Sequence, residues 1–166
     1  LPDYLNALKK EMYLCRTSDV RADTLYIGGG TPSLLTPRQM GDIVDWAAAC
    51  FNLEASAEMT LEINPATATT RDLQDYAAFG FNRLNIGVQS FSDPNLKFLG
   101  RRHNAAQALE AVKAGKEAGF NNIGLDLIFG LPDQTASSWK SDLLQAIRLS
   151  PKHLSCYMLT YEEHTP

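Results

Sequence analysis

Asn82-Arg83-Leu84-Asn85-Ile86-Gly87-Val88-Gln89 decides the fold class. Leu84, Ile86 and Val88 share one parity, and Asn85, Gly87 and Gln89 share the other, so a strand here is apolar on one face only. Two further stretches alternate in the same way. Leu61 and Ile63 interleave with Thr60, Glu62 and Asn64, while Ile123, Leu125, Leu127 and Phe129 interleave with Gly124 and Asp126. A parallel sheet covered by helices on both faces is apolar on both parities. Here one face meets helices and the other looks into a polar cavity. That favours a (β/α) barrel, whole or partial, with its site at the C-terminal strand ends.

The chain on either side supplies the other elements. Helical periodicity covers Tyr4 to Arg16, and Asp23–Ile27 reads as a strand. Thr36 is an N-cap with Pro37 at the first helical position, opening a helix to about Phe51. Glu58–Ile63 is a strand, Thr69 or Thr70 caps a helix that Gly80 ends, and Asn82–Val88 is the next strand. A helix over Asn104–Ala118, a strand over Asn122–Phe129, a helix from about Ala136 to Leu149 and a strand over His153–Leu159 complete the order. Parity in the last strand is ambiguous, since Ser155 and Tyr157 alternate with Cys156 and Met158. Strict alternation means parallel strands with right-handed crossovers. The expectation is an α/β chain of five βα units, an incomplete parallel barrel, because five strands cannot close alone.

The 166 residues amount to one domain, 45% hydrophobic and 20% charged, which excludes a disordered or low-complexity chain. Fifteen Lys+Arg against 19 Asp+Glu give a net charge of −4, with no like-charge block of the kind that binds nucleic acid. No apolar run approaches the roughly 20 residues of a membrane span; peripheral membrane association is not legible. Cys15, Cys50 and Cys156 make no CxxC pair, which fits a reduced, cytoplasmic protein. The chain opens at Leu1 without an initiator Met or a signal core and stops just past a strand. It reads as part of a larger protein.

Each strand ends in something chemically loaded. Gly28-Gly29-Gly30-Thr31-Pro32 lets the backbone approach a ligand and present bare amides, although a tight turn needs one or two of these glycines. It is neither a Walker A loop nor a dinucleotide fingerprint, since no Gly-Lys-Ser/Thr follows and Ser33 stands at the third glycine position. Glu62 lies near the end of an otherwise apolar strand, and a buried carboxylate is costly unless paired or liganded; a salt bridge to Arg83 is the structural alternative. Gln89 and Asp126 are expected at equivalent depths on the next two strands, though Asp126 alone could cap its loop. Polar acceptors converging on one rim suit a ligand with hydroxyl and amino groups, such as a nucleoside. Arg101 and Arg102 follow a short helix begun by Ser92-Asp93-Pro94, and an Arg above a cavity suits a carboxylate or phosphate. His103, His153 and His164 have no metal-ligand spacing, and Trp46 and Trp139 sit on helical stripes that read as core.

Taken in order, Gly28-Gly29-Gly30-Thr31-Pro32-Ser33-Leu34-Leu35, Leu61-Glu62-Ile63-Asn64-Pro65, Asn82 to Phe91, Leu99-Gly100-Arg101-Arg102-His103, Leu125 to Thr135 and His153 to Glu162 resemble the radical SAM core of the oxygen-independent coproporphyrinogen III oxidase family. Among its branches they look most like the HemW-type haem chaperones. The resemblance implies a partial (β/α)6 barrel that holds a [4Fe–4S] cluster and S-adenosylmethionine. It implies that Gly29, Gly30, Thr31 and Glu62 would hold the methionyl amino end and Arg101 its carboxylate. Gln89 and Asp126 would bind the ribose hydroxyls, and Thr160 would line the same pocket. No residue is singled out as catalytic and none as a metal ligand. In family chemistry the reduced cluster donates an electron to the sulfonium, and the protein positions and excludes water.

One departure is large. The family's CxxxCxxC cluster motif is absent, and with it the first barrel strand, and the C-terminal part of the family fold is missing too. The cluster is therefore expected only in a longer parent protein. The resemblance implies haem or porphyrin as partner, with haem as a further ligand, and a haem-acceptor protein. The alternative branch is a true oxidase that decarboxylates coproporphyrinogen III propionates to vinyl groups. A third, unrelated reading is a partial barrel that binds a phosphorylated metabolite at Gly28–Gly30; it leaves Gln89 and Asp126 unexplained.

Overall fold

A computed structural model describes residues 1–17, 19 and 21–161. Helix α1 (Pro2–Leu14) precedes strand β1 (Ala22–Ile27) and a 3-10 turn at Pro32–Leu34. Then come α2 (Pro37–Phe51), β2 (Leu53–Ile63), α3 (Thr70–Ala78), β3 (Arg83–Gln89), α4 (Asp93–Phe98), α5 (Ala105–Glu117), β4 (Asn122–Phe129), α6 (Ala136–Arg148) and β5 (His153–Met158). All neighbouring strands pair in parallel, in the order β1-β2-β3-β4-β5.

That order settles the choice between a barrel and a doubly wound sheet. Right-handed crossovers between strands added always on the same side put every helix on one face. A doubly wound sheet instead reverses direction at a switch point. Here there is no reversal, and the sheet is an open, curled half-barrel. Leu61, Ile63, Leu84, Ile86, Val88, Ile123, Leu125 and Leu127 are buried, in one core with Met40 of α2, Leu73 and Tyr76 of α3, Ala108 and Val112 of α5, and Ala146 of α6. The apolar parity of the sequence is thus the helix-facing side.

Helix starts are fixed locally. Thr36, Thr69, Asn104 and Thr135 each accept a bond from the backbone N–H three residues on, and Gln39, Asp72, Gln107 and Ser138 reach back to the cap residue. Each such capping box stabilises its helix by about 1 kcal/mol, and each lies in the connection that follows a strand, that of Asn104 after the short helix α4. The capping pattern therefore pins the βα loops to the C-terminal rim. Thr69, not Thr70, is the cap of α3.

The start of β2 differs from expectation, and the open parity of β5 is settled. β2 begins at Leu53, not Glu58, because Leu53 pairs with Ala22 before the register slips to Thr24↔Glu58. Leu53-Glu54-Ala55-Ser56-Ala57 continues the alternation of Met59, Leu61 and Ile63, but its Ala and Glu residues are weak strand formers and announce it faintly. In β5 the parity is resolved by pairing, since Ser155 stands opposite Asp126 and Cys156 opposite Leu127. Ser155 therefore shares the concave face.

Candidate functional site

The concave face carries a cavity of about 150 Å3 lined by Gly30, Glu62, Asn64, Asn85, Gln89, Arg101 and Asp126 among others. Pockets that enclose a whole drug-sized ligand run to roughly 300–1,000 Å3, so this one fits the polar hub of a larger ligand. It forms because the even parity of β2 and β4 and the odd parity of β3 point inward while the capped loops close over the strand ends.

Depth is not uniform across the rim. Glu62 is level with Asn85, and Asn85 with Gly124, so Asp126 sits one rung above Glu62. The expectation of equal depth is corrected by this register. Gln89 reaches the cavity by a different route: β3 slips by one residue between Ile86 and Gln89, leaving Gln89 opposite Leu127 with φ of 67°.

Each oxygen of Glu62 accepts one hydrogen bond from protein and keeps acceptor capacity to spare. Its Oε1 accepts from the Tyr26 hydroxyl at 2.6 Å and its Oε2 from the Gly29 N–H at 3.0 Å. Arg83 pairs instead with Glu58 at 3.4 Å, so the expected structural alternative for Glu62 does not occur. Burial, and then the bond to Glu62, push the Tyr26 phenol well above its ordinary range. Gly28 permits this cluster, since a Cβ there would stand 2.7 Å from the Tyr26 ring and 2.8 Å from the Glu62 carboxyl.

Asp126 is the opposite case. Asn85 Nδ2 donates to its Oδ2 at 2.7 Å, while its Oδ1 is buried with no hydrogen-bond partner. Buried polar atoms are nearly always satisfied, so an orphaned carboxylate oxygen in a polar cavity calls for a donor such as a ligand hydroxyl. Arg101 is half-buried, donates to Asn64 Oδ1 at 3.4 Å, and has its pKa lowered by burial against the opposing pull of Asp126. Arg102 is exposed.

Of the sequence-predicted residues, Gly30, Glu62, Gln89, Arg101 and Asp126 come together. Gly29 and Thr31 stand one step back: Gly29 is tied to Glu62, and Thr31 Oγ1 accepts from Asn64 Nδ2 at 3.1 Å. Both line a neighbouring apolar cavity of about 380 Å3 between α1 and the glycine loop. Thr160 lies beyond β5, exposed and not among the residues that line this cavity. Alternation places Asn64 and Asn85 facing inward but gives them no role. Their position on the polar parity, next to Glu62 and Asp126, is the available signal.

His103 is buried and its Nε2–H donates to the Val88 carbonyl at 3.1 Å, a structural role; His153 is exposed, and His164 lies outside the described residues. Trp139 packs on Phe129 at 5.5 Å between centroids, and Trp46 lies beneath Lys9. Among the described residues no three His, Cys, Asp or Glu stand together as metal ligands.

The sequence profile of the Radical SAM superfamily matches residues 5–146. The chain belongs to the radical SAM superfamily. Heme chaperone HemW of Escherichia coli (strain K12) is 44% identical over 161 residues, 97% of this chain and 42% of that protein. The mitochondrial radical S-adenosyl methionine domain-containing protein 1 of Bos taurus is 37% identical over 153 residues, 92% of this chain and 35% of that protein. Among solved structures, coproporphyrinogen III oxidase (HemN) from Escherichia coli, a radical SAM enzyme, superposes with a TM-score of 0.88 at 29% identity, covering 97% of this chain and 38% of that one. The chain spans about two fifths of the length of these relatives.

The donor set suits one superfamily cofactor and not the other. The acceptor Asp126 Oδ1, the Gln89 amide, the Arg101 guanidinium and the glycine loop match the hydroxyls, carboxylate and amino group of S-adenosylmethionine. Cys15 and Cys156 are exposed and far apart in sequence, and Cys50 is buried in α2. They do not make a site for an iron–sulfur cluster.

Proposed function

We propose that this chain is the S-adenosylmethionine-binding part of a HemW-type haem chaperone, a cytoplasmic protein that binds haem and hands it to acceptor proteins. The observation that carries the cofactor site is the unpartnered Asp126 Oδ1 beside Gln89 and Arg101 in one polar cavity. Gln89 and Asp126 would hold the ribose hydroxyls, and Arg101 the methionyl carboxylate through a charge-assisted bond. Glu62, already holding Gly29 and Tyr26, would accept from the amino group and keep the glycine loop in place. Thr31 braces Asn64, which in turn positions Arg101. When bound, S-adenosylmethionine supplies radical chemistry in partnership with a reduced [4Fe–4S] cluster whose ligands would come from elsewhere in the protein. Residues 1–166 would then be a single domain, one piece of the radical SAM core.

Identities of 37–44% to chaperones of the HemW type support the chaperone branch. The TM-score of 0.88 to coproporphyrinogen III oxidase supports the second reading, a porphyrin-decarboxylating enzyme. Titrating the full-length protein with haem, and assaying it with coproporphyrinogen III in parallel, separates the two. Stoichiometric haem binding without vinyl product is expected; decarboxylation would overturn the chaperone reading. For the cofactor site, Asp126→Ala is expected to weaken S-adenosylhomocysteine binding by about tenfold or more, the worth of one or two hydrogen bonds. Unchanged affinity by calorimetry would remove the site assignment.

A further inference from the structure

The backbone at the end of β3 is bent into an unfavourable shape, and a second carboxylate holds it there. Gln89 has φ of 67°, and the Ser90 N–H donates across it to the Val88 carbonyl at 2.9 Å. A bond from residue i+2 to residue i around a positive φ makes the rarer of the two γ-turns, strained for a residue with a side chain. The shape is what aims Gln89. Its amide folds back over Gly87, where a Cβ would stand 2.8 Å from Nε2, and so enters the cavity.

The restraint comes from α6. Asp142 is 4% exposed and Ser90 fully buried. The Ser90 hydroxyl donates to Asp142 Oδ2 at 2.6 Å, and the Phe91 N–H donates to Asp142 Oδ1 at 3.0 Å. Ser90 Oγ in turn accepts from the Ser92 N–H at 3.1 Å and Asn95 Nδ2 at 3.2 Å. Among the described residues no Lys or Arg pairs with Asp142. A carboxylate buried without a cation is costly, and packing alone would be served by an apolar residue. Both of its bonds end on the two residues that follow Gln89. Asp142 does not line the Gln89 cavity itself; it lines a groove on the helix side.

We infer that Asp142 is a positioning residue: through Ser90 and the Phe91 N–H it locks the Gln89 turn and so sets the Gln89 amide for the nucleoside end of the cofactor. This rests on the cofactor-site reading above. It acts on Gln89 alone and not on the cavity at large, which makes it separable from ordinary stabilisation.

The test is a double-mutant cycle on the full-length protein, read as S-adenosylhomocysteine affinity by calorimetry alongside thermal unfolding. Gln89→Ala and Asp142→Ala are each expected to weaken binding about tenfold, and the double variant also about tenfold, because the clamp has nothing left to aim. The fall in Tm from Asp142→Ala should be the same in the parent and in the Gln89→Ala background. A hundredfold loss in the double variant, or full affinity in Asp142→Ala beside a weakened Gln89→Ala, would overturn the inference. No effect from Gln89→Ala, or no binding by the parent protein, would instead sink the cofactor-site reading and this inference with it. If Asp142→Ala does not fold, Ser90→Ala and Asp142→Asn run the same cycle. The latter keeps an oxygen for the Phe91 N–H and sets an NH2 against the Ser90 hydroxyl.

Discussion

Gly87 shows how little space the cavity leaves. A Cβ on it would meet Gln89 Nε2 at 2.8 Å and Asn64 Oδ1 at 3.2 Å, so Gly87→Ala must displace the amide proposed above to hold the cofactor. The expected outcome is about tenfold weaker S-adenosylhomocysteine binding by the full-length protein with a Tm within a few degrees of the parent, since the displaced groups are polar side chains and not core. Asn85 is a different matter, because its amide satisfies Asp126 Oδ2. Asn85→Ala leaves both oxygens of a half-buried carboxylate without a partner, and it should cost about 1–3 kcal/mol in urea denaturation as well as affinity. At this scale the sequence is partly legible. Alternation puts Asn85, Gly87 and Asp126 on one face, and glycines mark close approach. The bond from Tyr26 to Glu62 spans 36 residues and depends on register, which no local pattern carries. The γ-turn at Gln89 is hidden for the same reason, since Gln has no turn signature.

At the scale of elements, the end of β3 is held from two sides. α6 holds it through Asp142, and the segment between α4 and α5 holds it through His103, whose Nε2–H donates to the Val88 carbonyl. Burial lowers the His103 pKa below its ordinary 6.5; the bond to Val88 opposes the shift and nearby Arg101 adds to it. The folded state therefore favours the neutral ring, and the unfolded chain binds more protons between the lowered value and 6.5. Stability from this group is complete above about pH 6.5 and falls as pH drops through that window. His103→Gln should flatten the dependence of the urea midpoint on pH between about pH 7 and about pH 5; an unchanged slope would show that other groups set it. Tyr76 of α3 ties down the segment before α2, where its hydroxyl donates to the Leu35 carbonyl at 3.0 Å. Caps and periodicity announce the helices to within a few residues because those signals are local. The early start of β2 is announced only faintly: Leu53 to Ala57 alternates, but its Ala and Glu residues have low strand propensity, and the pairing of Leu53 with Ala22 completes the strand.

For the whole molecule, one-sided winding has a chemical consequence. With every crossover helix on the convex side, polar side chains from β2, β3 and β4 share the concave face, and groups from distant parts of the chain line one cavity at its rim. That face offers oxygen and nitrogen donors and acceptors, but no soft ligand: Cys15 and Cys156 are exposed, Cys50 is buried in α2, and none lines the cavity. A cubane cluster held by protein needs thiolates close together, and the sequence spaces its cysteines at 15, 50 and 156. Anaerobic reconstitution of these 166 residues with iron and sulfide should therefore yield far less than stoichiometric cluster by iron and acid-labile sulfide analysis. A longer chain that carries a CxxxCxxC motif should take up about four irons. Stoichiometric iron and sulfide on the 166 residues would mean that the cysteines converge in a way the fold does not allow, and the assignment of the cluster to chain outside these residues would fall.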